Sequence, residues 1–179
     1  MDAQSEAVLA LVNPALANLV RAAQDTLTPQ NIFMSVYQGL RTAEEQNALY
    51  AQGRTAPGQI VTNAKAGCSN HNYGLAVDIV PFHSGAGGPL NWNISSPPFQ
   101  AMVAALKAQG LVYGGDWKTF PDNDHFQLPN MPASPSPAMI ADFNKGVPTS
   151  QFWACYDAGN YIPPGAKPGA PESGGAVDA

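Results

Sequence analysis

The first forty residues carry an apolar pattern that predicts one helix and one strand. Apolar side chains recur at helical spacing over about residues 14–26, which indicates an amphipathic helix. Asn13 is a suitable N-cap for it, and Pro14 is a residue type favoured in the first helical turn. The β-branched and aromatic run at 32–37 then predicts a strand.

The next segments predict a helix, a loop and a second strand. Thr42 and Glu45 have the spacing of a capping box, and Gly53 ends the helix that they begin. Residues 54–67 are rich in glycine, proline and alanine, which indicates a loop. The apolar run at 75–80 then predicts a buried strand.

The second half of the chain predicts two further helices and two short strands. An amphipathic helix begins near residue 99 and ends at Gly110, and a strand follows it. A polar loop leads to a final short strand at 125–128, and Ser136 caps a last helix that extends to about Lys145. Because helices and short strands are interspersed with long loops, the predicted fold class is α+β, with a small antiparallel sheet flanked by helices.

Length and composition predict one domain followed by a tail. The 179 residues can bury a real core, and we predict a single domain over 1–157. Residues 158–179 are so rich in proline, glycine and alanine that we predict a disordered tail. Cys68 and Cys155 lack metal-binding spacing and are predicted to be two half-buried thiols, with a disulfide left open as the alternative.

The charge pattern excludes two classes of partner. Only 12% of residues are charged, about half of the usual share, and the net charge is −5 with no cluster of lysine and arginine. Nucleic acids and anionic membranes both require a basic surface, so we predict neither as a partner. The N-terminus is acidic and is interrupted by Pro14, so we predict no Sec signal peptide.

Asp78 is an unexpected residue type inside the predicted strand 75–80, because aspartate is unfavourable in strands. Side chains alternate along a strand, so Asp78 shares a face with Ala76 and Val80. A carboxylate in such apolar surroundings is costly unless it is paired or binds a cation. The intervening Asn-Tyr-Gly sequence can bend the chain and bring His71 to Asp78.

Two residues of the later polar loop complete a candidate metal site. His125 begins the last predicted strand, and Asp122 lies three positions before it, where it can share a face with the histidine. Asp124 is expected to point away. Zinc in catalytic sites takes three protein ligands and keeps an open position. From the residues alone, an ordinary structural role stays open, with Asp78 capping a turn or pairing with Arg41 or Arg54.

Three motifs in order resemble the M15 family of zinc D,D- and L,D-peptidases. The segment "SNHNYGLAVD" has the S-x-H-x-x-G-x-A-x-D pattern of that family. The segments "GGDWKTFPDNDHF" and "YQGLRTAEEQNALYAQGRT" are similar to its second motif and to its N-terminal segment. The resemblance covers about residues 30–128 and is greatest to the branch of phage endolysins and L-alanyl-D-glutamate endopeptidases.

The resemblance implies a fold, a cofactor and residue roles. The fold would be that shared by D,D-peptidases and the hedgehog signalling domain. His71, Asp78 and His125 would bind one Zn²⁺, Asp122 would be the catalytic acid and base, and Arg41 would stabilise the oxyanion. Many relatives have glutamate where this chain has Asp122, and a proline often precedes the metal-binding histidine where this chain has Asp124, so the local shape of this loop is expected to differ.

Four further residues are candidates for supporting the site or contacting substrate. Ser69 is expected to hydrogen bond near His71, because metal sites need such supporting contacts. Trp117 lies in the loop next to the predicted metal, and Tyr50 and Gln46 follow Arg41 on a helix, where packing is the default expectation. His83, in a glycine-rich loop, is expected to be solvated.

The expected function is hydrolysis of the stem peptide of bacterial peptidoglycan by a monomeric enzyme, at the L-Ala–D-Glu bond. A D-Ala-D-Ala carboxypeptidase or dipeptidase and a non-enzymatic, hedgehog-like zinc-binding module remain as alternatives. We expect the protein to be made in the cytoplasm and to reach the cell wall or periplasm through a holin or a secretion apparatus. The sequence leaves open whether it is a phage endolysin or a secreted effector.

Overall fold

A computed structural model describes residues 1–156, and the predicted tail at 158–179 lies outside this part of the chain. Within the described residues there are six α-helices and four β-strands. The helices are α1 (Ala3–Leu9), α2 (Pro14–Leu27), α3 (Ala43–Ala51), α4 (Pro97–Ala108), α5 (Pro137–Asn144) and α6 (Thr149–Cys155). The strands are β1 (Met34–Gln38), β2 (Ala76–Pro81), β3 (Val112–Tyr113) and β4 (His125–Gln127).

The four strands form one antiparallel sheet in the order β1-β2-β4-β3. Together with the helices this confirms the predicted α+β class. In the β2–β4 pairing, Asp78 lies directly opposite His125. The β1–β2 pairing steps from Val36 to Gln38 across a bulge, which leaves Tyr37 as the extra residue of β1.

The sheet belongs to a compact unit made of Met1–Leu40 and Gly74–Pro129. Within this unit α2 packs against α4, and α4 packs on β2 and β3. All six residues of β2 are buried, so both faces of this strand are covered. The core of this unit includes Leu16, Val20, Phe99, Met102 and Phe126, each at most 1% exposed. Asp78 therefore lies in a strand of the sheet that is buried along its whole length.

The predicted helix over 14–26 is confirmed as α2, and Asn13 caps it by accepting a hydrogen bond from the amide of Ala15. The sequence pattern did not predict α1 or α6. Helix α1 packs on β1, where the buried Ser5 hydroxyl accepts a hydrogen bond from the amide of Val36. That contact satisfies a donor on the outer edge of the sheet.

Gln24 of α2 also satisfies the backbone around β1, and its loss is expected to destabilise the fold. Its side chain is buried, accepts from the amide of Met34 at 2.8 Å and donates to the carbonyl oxygen of Ile32 at 2.9 Å. Gln24→Leu keeps a similar volume but removes both hydrogen bonds, so it should lower the free energy of unfolding by about 1–3 kcal/mol. Urea denaturation measures this change, with the exposed Gln30→Leu as the matched control. Equal effects of the two substitutions would contradict the assignment.

Among the described residues, the second compact unit contains 41–73 and 130–156. Helix α3 begins with the predicted capping box, in which Thr42 and Glu45 bond reciprocally. The ring of the fully buried Tyr73 contacts Phe143 and Phe152, with ring centroids 5.6 and 4.7 Å away. These contacts tie α5 and α6 to the segment that carries His71.

Two further expectations can be compared with the described residues. Cys68 and Cys155 are both half-buried free thiols, as predicted. Among the described residues, the helices are too short or too polar to cross a bilayer.

Candidate metal centre

Asp78 and His125 form a buried pair on one face of the sheet. They lie opposite each other on β2 and β4, and the Oδ1 atom of Asp78 is 3.5 Å from the Nδ1 atom of His125. The two residues are 8% and 6% exposed. This pairing accounts for a carboxylate in an apolar strand, because the neighbouring strand places an imidazole opposite it.

Gln127 holds the other nitrogen of His125. It lies two residues further along β4, so its side chain shares the face of the histidine, and its Oε1 atom is 3.1 Å from Nε2. This contact favours the tautomer with a proton on Nε2 and a lone pair on Nδ1, the form needed to bind a metal on the side of Asp78. Gln127 was not predicted from the sequence, although its i+2 position after a candidate ligand is a signal for this role.

The pKa of His125 is raised above its ordinary value. Burial has the largest influence and lowers it, but the hydrogen bond and charge of Asp78, the charge of Asp122 and the hydrogen bond with Gln127 together outweigh burial. In the metal-free protein, the pairing therefore contributes stability below the ordinary histidine pKa, and this contribution is lost as pH rises through the raised pKa. Because a metal and a proton compete for the same nitrogen, metal affinity should fall in acid.

His71 lies in a short 3₁₀ turn, Asn70–Tyr73, just before β2. Its carbonyl oxygen accepts from the amide of Arg41 at 3.0 Å, and its own amide donates to the Oγ atom of Ser69 at 3.3 Å. Ser69 thus hydrogen bonds to the backbone of His71, and its role in supporting a metal site stays a prediction. The side chain of Asn72 donates to the carbonyl oxygen of Arg41 at 2.9 Å, which ties this turn to the start of α3.

His71, Asp78 and His125 each offer one ligand atom, and these atoms lie within 4.8 Å of one another. All three residues are buried. Two imidazoles and one carboxylate are a donor set that suits Zn²⁺ and leaves a fourth coordination position open. The tautomer favoured by Gln127 supports the same conclusion, so the residues present fit a zinc ion.

Asp122 belongs to the loop that leads into β4. Its amide donates to the carbonyl oxygen of Gly114 at 3.1 Å. Its charge contributes to raising the pKa of His125 and, after burial and the charge of Asp116, that of the Tyr113 hydroxyl. A Cβ atom on Gly114 would lie 2.7 Å from the carbonyl oxygen of Asp122, so only glycine permits this close approach of the loop. The carboxylate of Asp122 therefore acts electrostatically on the candidate ligand His125.

Gln46 has a specific contact that the sequence did not reveal. It is fully buried on α3, accepts from the Nη1 atom of Arg41 at 3.0 Å and donates to the carbonyl oxygen of Ala64 at 2.7 Å. The default expectation was packing, whereas the structure uses this amide to orient a guanidinium. Because glutamine accepts through one oxygen and donates through its nitrogen, it can link the arginine to the loop at 54–67.

The remaining candidates have simpler surroundings. The ring of Trp117 lies 5.0 Å from that of His125, which places it at the candidate site. The guanidinium carbon of Arg54 lies over the ring of Tyr50, 4.1 Å from the ring centroid. Arg54 also donates to the backbone oxygens of Tyr50 and Thr62 in its own region. His83 is exposed, as expected.

Loss of Gln127 is expected to weaken metal binding without removing a ligand. Gln127→Leu would leave the His125 ring without the partner that fixes its orientation and tautomer, so metal affinity should fall by about 10–100-fold. Competition titration with a chelator measures this change. Gln24→Leu is the matched control, because it removes another buried side-chain amide, one that lies on α2 and accepts from the backbone of β1. Unchanged affinity in Gln127→Leu would contradict the role given to this residue.

Comparisons with known proteins agree with the motifs. Residues 62–128 match an M15 peptidase family profile described as D-alanyl-D-alanine carboxypeptidase. The chain is 34% identical over 124 residues to the peptidoglycan L-alanyl-D-glutamate endopeptidase CwlK of Bacillus subtilis, a match that covers 65% of this chain and 73% of the relative. It is 30% identical over 126 residues to the L-alanyl-D-glutamate peptidase of Listeria phage A118, covering 67% of this chain and 40% of the phage protein.

Two solved structures are also similar. The L-Ala D-Glu endopeptidase ChiX of Serratia marcescens has a TM-score of 0.48 and 25% identity, covering 71% of this chain and 87% of that one. The L,D-carboxypeptidase DacB of Streptococcus pneumonia has a TM-score of 0.45 and 19% identity, covering 84% and 80%.

The class defined by the site and the sequence match is a peptidase with a His-Asp-His group that could bind a metal ion. The chain belongs to the M15 peptidase family, as its match to CwlK establishes. The resemblance inferred from the three motifs is therefore confirmed. M15 peptidases are in general zinc enzymes, and the residues that could bind the metal in this chain are His71, Asp78 and His125.

Proposed function

We propose that this protein is a zinc-dependent hydrolase that cuts the stem peptide of peptidoglycan at the L-Ala–D-Glu bond. The observation that carries the proposal is the buried His71, Asp78 and His125 group in a chain of this family. The names of the relatives support the choice of bond, since CwlK and the phage protein are both L-alanyl-D-glutamate peptidases. The acidic composition agrees with a peptide substrate rather than a nucleic acid.

In this proposal, His71, Asp78 and His125 hold one zinc ion. When bound, zinc would supply Lewis-acid chemistry, polarising the scissile carbonyl and making water more acidic. Gln127 keeps the His125 ring in its binding orientation through the 3.1 Å contact to Nε2. Ser69 restrains the turn that carries His71 through its amide.

Asp122 is the proposed general base and acid. Its charge reaches His125, and it lies in the loop that enters the strand of that ligand. The carboxylate would accept the proton of the attacking water and then donate it to the leaving amine. Aspartate has a shorter side chain than the glutamate of many relatives, so the backbone must hold it close to the reacting atoms. The approach of the loop to Gly114 supports this requirement.

Arg41 is the proposed group that stabilises the negative charge developing on the carbonyl oxygen. A fixed cation is more effective in this role than a mobile one, because it needs no reorganisation during the reaction. Gln46 accepts from its Nη1 atom and is itself anchored to Ala64. This arrangement supports a guanidinium that is already oriented before substrate binds.

A D-Ala-D-Ala carboxypeptidase is the second candidate, because the matching family profile carries that description. Mass spectrometry of muropeptides separates the two. After digestion of purified peptidoglycan with the zinc-loaded protein, L-Ala–D-Glu cleavage produces a new D-Glu amino terminus, whereas the carboxypeptidase releases free D-Ala. Release of D-Ala alone would replace the proposed bond by the second candidate. Stoichiometric zinc with neither product would favour a non-enzymatic zinc module.

A further inference from the structure

The loop that carries Asp122 is held by contacts from several neighbouring elements. The amide of Asp122 donates to Gly114 at 3.1 Å, and the carbonyl oxygen of Asp124 accepts from the amide of Ile79 in β2 at 2.8 Å. The two remaining polar side chains of this loop, those of Asn123 and Asp124, are also engaged. Each accepts a hydrogen bond from a tyrosine hydroxyl of a different strand.

The first tyrosine is Tyr37 of β1. It occupies the bulge between Val36 and Gln38, and bulges next to active sites commonly redirect a side chain. Its hydroxyl donates to the Oδ2 atom of Asp124, and its ring meets the Trp92 ring edge to face at 5.5 Å. The ring contact restrains the tyrosine, and the hydroxyl restrains the loop.

The second tyrosine is Tyr113 of β3, and it holds the loop from the other edge of the sheet. Its hydroxyl donates to the Oδ1 atom of Asn123 at 3.2 Å. Its ring stacks on Phe126 of β4 with centroids 5.0 Å apart and an interplanar angle of 25°. Since β1 and β3 are the two edge strands of the sheet, these contacts hold the loop from opposite sides.

We propose that Tyr37 and Tyr113 are positioning residues that clamp the loop 122–124 and thereby place Asp122 for proton transfer. The proposal rests on the catalytic role of Asp122 in the proposed function. A misplacement of a catalytic group by about 1 Å can lower a rate by 10²-fold, so hydrogen bonds that fix such a loop affect turnover. A short aspartate side chain makes this requirement stricter than a glutamate would. The clamp depends on Asp124, at the position where relatives often have a proline.

Tyr37→Phe tests the clamp, because it removes only the hydroxyl and keeps the ring against Trp92. We expect kcat to fall about tenfold, with KM and zinc content within about twofold of the wild type. Asp124→Asn keeps an acceptor for the hydroxyl and should retain most of kcat, whereas Asp124→Ala should lose as much as Tyr37→Phe. The double variant Tyr37→Phe with Asp124→Ala should have a kcat close to that of either single variant, because both substitutions remove the same hydrogen bond.

Controls separate positioning from a general loss of stability. Gln24→Leu destabilises the same compact unit without a contact to this loop, so its kcat should equal that of the wild type. Tyr113→Phe should also lower kcat. The double variant with Tyr37→Phe should have a lower kcat than either single variant, because the two hydroxyls hold different side chains.

Hydrogen–deuterium exchange supplies a readout that does not depend on activity. Amides of the peptide containing residues 118–126 should exchange faster in Tyr37→Phe than in the wild type. If exchange is faster in Tyr37→Phe but the wild-type protein cuts no stem peptide, the clamp is retained and the proposed function is rejected. Unchanged exchange and unchanged kcat, a fall of kcat explained by lost zinc, or fully additive effects of Tyr37→Phe and Asp124→Ala would overturn the clamp.

Discussion

Asp122→Ala should lower kcat for stem-peptide hydrolysis by roughly 10³-fold, within the range typical for loss of a general acid and base. The reason is that no water or solvent buffer can replace a carboxylate fixed beside the reacting atoms. Zinc content should stay at one ion per chain, because Asp122 is not among the three residues whose ligand atoms cluster. Rates of muropeptide release, normalised to bound zinc, measure the effect.

Asp116→Ala is the matched control for this substitution. Asp116 is an exposed aspartate of the preceding 3₁₀ turn and pairs with Lys107 at 2.6 Å, so its loss removes the same charge from the same region. Its kcat should stay within about twofold of the wild type, since exposed ion pairs contribute little to structure. If Asp122→Ala retained more than a tenth of wild-type turnover, proton transfer by Asp122 would have to be abandoned.

His71→Ala should abolish both metal binding and hydrolysis. The substitution removes one of three candidate ligands. Metal affinity should therefore fall by more than the roughly 10–100-fold loss that is typical when a residue only supports a ligand. The remaining pair, Asp78 and His125, can still contact each other at 3.5 Å, so the fold should persist. Metal analysis after dialysis against a limiting zinc buffer measures the first effect, and muropeptide release measures the second.

His83→Ala is the control, since this histidine is exposed in a loop after β2 and lies outside the candidate ligand group. It should bind one zinc ion and cut at the wild-type rate. Circular dichroism would establish that both variants are folded. Stoichiometric zinc in folded His71→Ala would rule out this ligand, and the metal centre would then have to be assigned to other residues.

The two predictions distinguish residues that hold the metal from residues that move protons. Asp122→Ala should lower turnover and leave the zinc content unchanged, whereas His71→Ala should remove both. A third outcome, loss of zinc in both variants, would show that Asp122 contributes to metal binding through its charge on His125. Together the two substitutions therefore test the whole division of roles at the site.

Local sequence rules were sufficient for much of the architecture. The capping residues Asn13 and Thr42 make their contacts within a few positions, so their helices could be read from the chain. The bend between His71 and Asp78 is also local, since a turn sequence lies between a histidine and a strand. His125 was a candidate ligand from its place at the start of a strand, and the family resemblance supported it, but its contact with Asp78 spans almost fifty residues and could not be read from local sequence.

Tertiary structure decided the contacts that make the site specific. Helix α1 was not apparent from the pattern, because its role depends on covering the edge of β1. The contact that does so joins Ser5 to Val36, 31 residues further along the chain. The partners of Gln46 and Tyr37 were equally hidden, since a glutamine or tyrosine has the same local signal in a core, on a surface or beside a ligand.

The sequence by itself determined the secondary structure around the site, the donor types of the candidate ligands and the family. These properties follow from residue identity and from spacing over a few positions. Only the tertiary structure decided which strand faces which, that Asp78 opposes His125, and that Tyr37 reaches Asp124, 87 residues away along the chain. The physical reason is that strand register and the burial of polar side chains depend on the packing of the whole unit, which no short segment encodes.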